Sequence, residues 1–160
     1  MNIYLLFGKI YTDRLQVGNN VSNILNRLLE IKKMIKEILI VGLGSFAGGA
    51  LRYGLSVVLS KTGRLWAFPI GIMVVNVLGC FLIGLLYSYF KHKATTDPVL
   101  PLLLMTGVLG GFTTFSTFSF ETVQLLQQNE WLKATLYVTG SVGLGILACF
   151  LGMKLFTNIV

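Results

Sequence analysis

Apolar residues run almost unbroken through four stretches of the chain, at 38–59, 68–90, 99–125 and 132–156. Each reaches the roughly 20 residues that a helix needs to cross the hydrocarbon layer of a bilayer. The links are short and hold the charge: 60–67 with Lys61 and Arg64, 91–98 with Lys93 and Asp97, and 127–131 with Glu130. A membrane barrel would need many alternating strands of about ten residues, and the chain has no such pattern. The pattern predicts an all-α membrane protein with four transmembrane helices. Small residues recur four apart within the spans, at Gly44 and Gly48, Cys80 and Gly84, and Ala148 and Gly152. That spacing lets helix backbones approach closely in lipid, where side-chain packing drives association.

The first 33 residues break this pattern. They mix polar and apolar positions, with Asn19, Asn20, Asn23 and Asn26 close together. The run Met1–Phe7 is too short for a signal-peptide core or a span. Ile24, Leu28, Ile31 and Ile35 share one helical face, which fits an amphipathic helix on the membrane surface over Val21–Glu37. A misassigned start fits as well, because Met34 opens Met-Ile-Lys-Glu-Ile-Leu-Ile, a natural beginning for the first span. The chain therefore divides into an extension at 1–33 and a four-helix transmembrane domain at 34–160.

Composition supports the membrane assignment. The 160 residues are 54% hydrophobic and only 12% charged, against about 25% charge in soluble domains. The length allows one bundle. The net charge of +7 belongs to loops and helix ends. It does not indicate nucleic acid, because no basic stripe is interleaved with exposed aromatics. Cys80 and Cys149 lie in apolar runs without metal-ligand spacing, and His92 is the only histidine. These exclude a disulfide framework or a zinc site.

Charge also bears on orientation. Counted from Met34, the side shared by both termini carries Lys36, Lys91, Lys93 and Lys154, and the other side Lys61, Arg64 and Lys133. Four against three is almost no bias, so such a chain inserts both ways and can pair antiparallel. Counted from Met1, Lys9, Arg14, Arg27, Lys32 and Lys33 join the first side and make it nine against three. That balance fixes the termini in the cytoplasm.

The polar residues inside the spans carry the candidate chemistry. Residues 113–119, just after Gly110 and Gly111, hold five hydroxyl side chains and two phenylalanines. Such a segment at membrane depth is tolerated only where protein buries it or where it lines a wet path. Phe115 and Phe118 share a helix face, with Thr113, Ser116 and Thr117 beside them. The positive edges of the rings and the nearby hydroxyls suit a small, strongly hydrated anion without a full positive charge. The tandem glycines permit a helix break, which frees backbone carbonyls for a cation. Asn76 is the one strongly polar residue of the second span, and its amide has two N–H donors to place. Arg52, in the first span, either acts in the membrane or snorkels to the interface. Glu121 pairs with Arg52 or faces a vestibule. Tyr137 and Ser141 stand four apart on the last span and can extend a polar track. There is no Ser-His-Asp set, no carboxylate pair and no phosphate loop, so an enzyme is excluded.

Three ordered motifs carry a family resemblance: Gly48-Gly49-Ala50-Leu51-Arg52-Tyr53, Val75-Asn76-Val77-Leu78-Gly79-Cys80-Phe81, and Gly110-Gly111-Phe112-Thr113-Thr114-Phe115-Ser116-Thr117-Phe118. Together they resemble the CrcB/Fluc family of fluoride channels, over residues 38–156. The resemblance implies a passive channel in a prokaryotic plasma or inner membrane that exports fluoride and relieves its toxicity. It implies an antiparallel, dual-topology homodimer with two pores and a broken third helix. Phe115 and Phe118 would be the pore phenylalanines and Asn76 a pore donor, with Ser116 and Thr117 as candidate pore-side hydroxyls. Carbonyls of Gly110 and Thr113 would hold a structural sodium ion (Na+) at the dimer centre. Arg52 and Glu121 match the family's first-helix arginine and its acid past the phenylalanines, and Tyr137 and Ser141 the start of its polar track. Two positions depart from the pattern: Ile72 stands where the family often has threonine, and Gly145 where a second serine can follow. The competing reading is a small antiparallel multidrug exporter of four spans. It needs a buried acid, and Glu121 is the only acid in the spans.

Overall fold

A computed structural model of the chain describes residues 3–63, 68–93 and 97–157, with side chains at 21–59, 68–93 and 97–155. The expected links at 60–67 and 91–98 therefore lie partly outside the described residues, as do the side chains of Lys9, Arg14 and the first two asparagines. Two compact units are distinguished, one up to Ile38 and one from Leu39 onward. Every described element is helical. Four helical segments are long and apolar enough to cross a membrane: Val21–Leu59, Ile70–His92, Val99–Gln127 and Trp131–Leu155. The expected boundaries hold to within a few residues except at the start. There the first helix covers Ile3–Gly63 and takes in the extension, which contains no proline to stop it.

The third span is built from pieces. Asp97 Oδ1 accepts from the Val99 N–H at 2.9 Å and opens it. An α-helical turn at Val99–Pro101 passes into a π-helix over Leu102–Leu109 and a last α-turn at Gly110–Phe112. Thr113 and Thr114 are extended, with ψ of 155° and 122°. The helix resumes at Phe115–Gln127. Gly110 and Gly111 are themselves helical, so the interruption falls at the two threonines rather than at the glycines. The glycine at 111 serves close approach instead: a Cβ there would run into the backbone of Ser45 on the first helix. Ser45 Oγ donates to the Gly107 carbonyl across the same contact, at 3.3 Å.

The second and last helices pack closely through the small residues read from the sequence. A Cβ on Gly84 would strike the Cys149 carbonyl, and one on Gly152 would strike the Phe81 carbonyl. The two glycines act reciprocally, each admitting the other helix's backbone. Between the third span and the last helix, Glu130 N–H donates to the Leu125 carbonyl at 2.9 Å and Asn129 N–H to that of Leu126 at 3.0 Å. Asn129 takes φ of 61°, which its short side chain tolerates, so a Schellman turn makes this link tight. The turn brings Tyr137 beneath the C-terminal half of the third span. There Tyr137, Leu125 and Ala134 form a buried cluster with Phe68, Met73 and Phe118 packed around it.

Candidate functional site

The extended pair Thr113–Thr114 organises the site. Two neighbouring extended residues in a helix strand several backbone groups, and in lipid each must find a partner. Asn76, on the second helix, takes both polar groups of Thr114. Its Oδ1 accepts the Thr114 N–H at 2.8 Å and its Nδ2 donates to the Thr114 carbonyl at 3.0 Å. One turn away, Gly79 admits the Thr113 side chain, since a Cβ there would collide with Thr113 Cγ2. The pair Asn76 and Gly79 thus holds the interruption against the second helix.

Hydroxyls manage the rest. Thr114 Oγ1 caps the resumed helix, accepting the Thr117 N–H at 3.3 Å, as an N-cap threonine does. The same oxygen shares hydrogen bonds with Ser116 Oγ and Thr117 Oγ1, both at 3.1 Å. Thr113 Oγ1 donates back to the Leu109 carbonyl at 3.0 Å, and Ser119 Oγ to that of Phe115 at 3.0 Å. The five hydroxyls of the segment therefore divide: two bond back to their own helix and three form the cap.

A cavity of about 370 Å3 lies along this interruption, lined by Asn76, Gly110, Thr113, Thr114, Phe115, Phe118 and Ser141 among others. Six of the residues singled out from the sequence meet here. Asn76 keeps one amide hydrogen for the cavity after its two bonds to Thr114. Ser141 Oγ is buried with no hydrogen-bond partner. An orphaned buried hydroxyl costs about 1–3 kcal/mol, so its place in the wall of a cavity is informative. The rings form a continuous row: Phe115 to Phe118 at 5.8 Å, Phe118 to Tyr137 at 5.2 Å, and Tyr137 to Phe68 edge-on at 5.8 Å.

The remaining candidates lie outside the cavity lining. Ser116 and Thr117 belong to the cap. Tyr137 is fully buried and its hydroxyl donates to Glu121 Oε2 at 2.6 Å. Glu121 is thus held by a tyrosine, and among the described residues no ion pair joins it to Arg52. The clamp between Asn76 and Thr114 was not read from the sequence. Nor were Cys80 and Met105, which also line the cavity; an apolar or sulfur side chain within a span gives no sequence signal of facing a cavity. Of the two departures, Ile72 is buried at 7% exposure. At Gly145 a Cβ would touch Cys80 Sγ at 3.4 Å, an ordinary contact, so the position has room for a side chain it lacks.

Comparison with known proteins places the chain in a family. The family profile described as "CrcB-like protein, Camphor Resistance (CrcB)" matches residues 39–153. A protein of Rhizobium meliloti named fluoride-specific ion channel FluC is 42% identical over 127 residues, covering 79% of this chain and all of the relative. One of the same name from Oceanobacillus iheyensis is 43% identical over 121 residues, 76% of this chain and 92% of the relative. A third, from Nitratidesulfovibrio vulgaris, is 36% identical over 119 residues, 74% of this chain and 95% of the relative. A profile match over most of the transmembrane domain, with relatives spanned nearly end to end, makes this chain a member of the CrcB-like family.

Proposed function

We propose that this chain conducts fluoride passively across the cell membrane. The observation that carries the reading is the cavity that Asn76, Phe115, Phe118 and Ser141 line together, with the buried Ser141 hydroxyl left unpartnered beside it. Fluoride is small and costly to dehydrate, so a selective path replaces its water with neutral donors. A fixed lysine or arginine would hold it too tightly to let it move. The Ser141 O–H, the free amide hydrogen of Asn76 and the ring edges of Phe115 and Phe118 supply such donors. The relatives are named as fluoride-specific channels, neither enzymes nor exporters. Glu121, the acid a proton-coupled exporter would need, is engaged by Tyr137.

The working unit is an antiparallel homodimer. Phe115 is 79% exposed in the single chain, and a second copy crossing at the interruption covers it. A structural sodium ion fits at that crossing. The N–H groups four residues beyond Gly110 and Thr113 are those of Thr114 and Thr117, and both donate elsewhere: to Asn76 Oδ1 and to Thr114 Oγ1. The carbonyls of Gly110 and Thr113 are thereby freed from their usual helical partners, and neutral oxygens are the ligands a hard cation takes. The ion would add attraction for an anion without lining the path with charge. The test is fluoride efflux from liposomes holding the purified protein, read with a fluoride electrode against chloride and proton controls. Fast efflux that excludes chloride and needs no proton gradient is expected. Replacing sodium on both sides by a bulky organic cation should abolish it. Sodium-independent efflux would remove the ion from the reading, and no efflux from correctly inserted protein would remove the channel.

A further inference from the structure

We infer that residues 21–37 form an interfacial helix that lies on an anionic lipid surface. This goes beyond the fluoride reading and does not rest on it, because the family profile begins only at residue 39. The segment is helical throughout. Val21, Ile24, Leu28, Ile31 and Ile35 follow at alternating spacings of three and four and make one apolar stripe. Leu25 and Leu29 widen it on one flank. All of these side chains are exposed, Ile24 at 60% and Ile31 at 47%, so within its own unit the stripe is uncovered. An apolar face of this extent marks a binding surface.

The placement of charge selects the occupant. Arg27 borders the stripe on one side, and on the other side Lys32 and Lys36 are interleaved with Leu25 and Leu29. Glu30 and Glu37 lie on the opposite face, where Lys33 Nζ stands 4.0 Å from Glu37 Oε1. Cations at the margin of an apolar face, with acids opposite, suit a plane of anionic headgroups above acyl chains: the stems bury and the charged ends reach the phosphates. The same stripe read as a coiled-coil seam places Arg27 and Lys32 at the flanking positions that face each other across a parallel pair. Self-pairing would then oppose like charges on both sides. The basic margin complements lipid and repels a second copy.

The test uses the full chain, with C80A and C149A, reconstituted into vesicles. An environment-sensitive fluorophore is placed on single cysteines at L28C, I31C, E30C or E37C. In vesicles containing phosphatidylglycerol, the labels at 28 and 31 should be blue-shifted and shielded from iodide, and those at 30 and 37 should be quenched freely. In pure phosphatidylcholine the shielding at 28 and 31 should fall severalfold. The triple variant R27Q/K32Q/K36Q should show that low level in both lipids. Free quenching at all four positions would overturn the proposal, as a solvated arm. Shielding that ignores lipid charge would also overturn it, and disulfide crosslinking of I31C between copies would then assign the face to a second chain.

Discussion

Asn76 and Thr114, on different spans, meet through two hydrogen bonds at 2.8 and 3.0 Å that pair one side-chain amide with both backbone groups of one residue. The amide stands where a neighbouring strand would stand. It lets an extended residue exist in a helical span without leaving its N–H and carbonyl unmatched. N76A removes both bonds at once. Each buried group left unmatched costs about 1–3 kcal/mol, so the variant should unfold at lower temperature in detergent and lose fluoride efflux. N76D keeps the acceptor and loses the donor to the carbonyl, and should fall between the two. Wild-type thermal stability in N76A would show that the clamp does not hold the interruption.

Ser141 and Tyr137 share a helix face yet predict opposite outcomes. Ser141 Oγ has no partner, so S141A removes an unsatisfied group and should leave the melting temperature unchanged or raised. Its efflux should fall, because a donor to the permeating ion is gone. Tyr137 donates to Glu121 at 2.6 Å and is fully buried. Y137F leaves the Glu121 carboxyl without that donor and should lower stability by about 1–3 kcal/mol. Efflux and thermal melting measured on both variants check the pair. Unimpaired efflux in S141A would place Ser141 off the path.

Phe115 and Phe118 separate in a similar way. Both are expected to touch the permeating ion, so F115I and F118I should each abolish fluoride efflux. Phe118 also packs on Tyr137 at 5.2 Å, a contact worth about 0.5–1.5 kcal/mol beyond its buried area. Phe115 is largely exposed within the chain. F118I, which loses two ring contacts, should therefore lower the stability of the single chain more than F115I, which loses one. Retained efflux in both variants would count heavily against the ring edges as ion contacts.

These contrasts show what the sequence could and could not disclose. The four spans were legible because a bilayer demands about 20 apolar residues at a time, and the charges between them mark the ends. The small residues at Gly84 and Gly152 were legible as a spacing, and the structure adds their partners. Asn76 was legible as an amide that needed a match, but the match lies 38 residues away. Nothing in a local pattern names Thr114 as its recipient. The site of the interruption was misplaced for a related reason. Glycines permit a break, yet Gly111 is there for contact with Ser45, and the extended residues are the threonines that Asn76 can satisfy. The continuation of the first helix back to Ile3 was missed because polar asparagines suggest an end that no proline or cap enforces.

Orientation gives the last prediction. The full chain places nine cations on the side of the termini and three on the other, against four and three from Met34 onward. Of the added cations, Arg27, Lys32 and Lys33 stand nearest the first span and carry most of the bias, because charges close to a span end count most. The chain expressed from Met1 should insert with its termini in the cytoplasm almost exclusively. The chain expressed from Met34 should insert both ways in comparable amounts. Labelling a single cysteine at K93C with an impermeant reagent, from one side of intact cells, measures the split. The result bears on assembly. An antiparallel pair needs one copy in each orientation, so in intact cells the full chain should form few such pairs and the shorter chain many, whereas copies solubilised and reconstituted into liposomes are free to pair in either orientation. Equal labelling of the two forms would mean that the extension does not set orientation. Strong efflux from a chain inserted one way only would mean that the pair is not antiparallel.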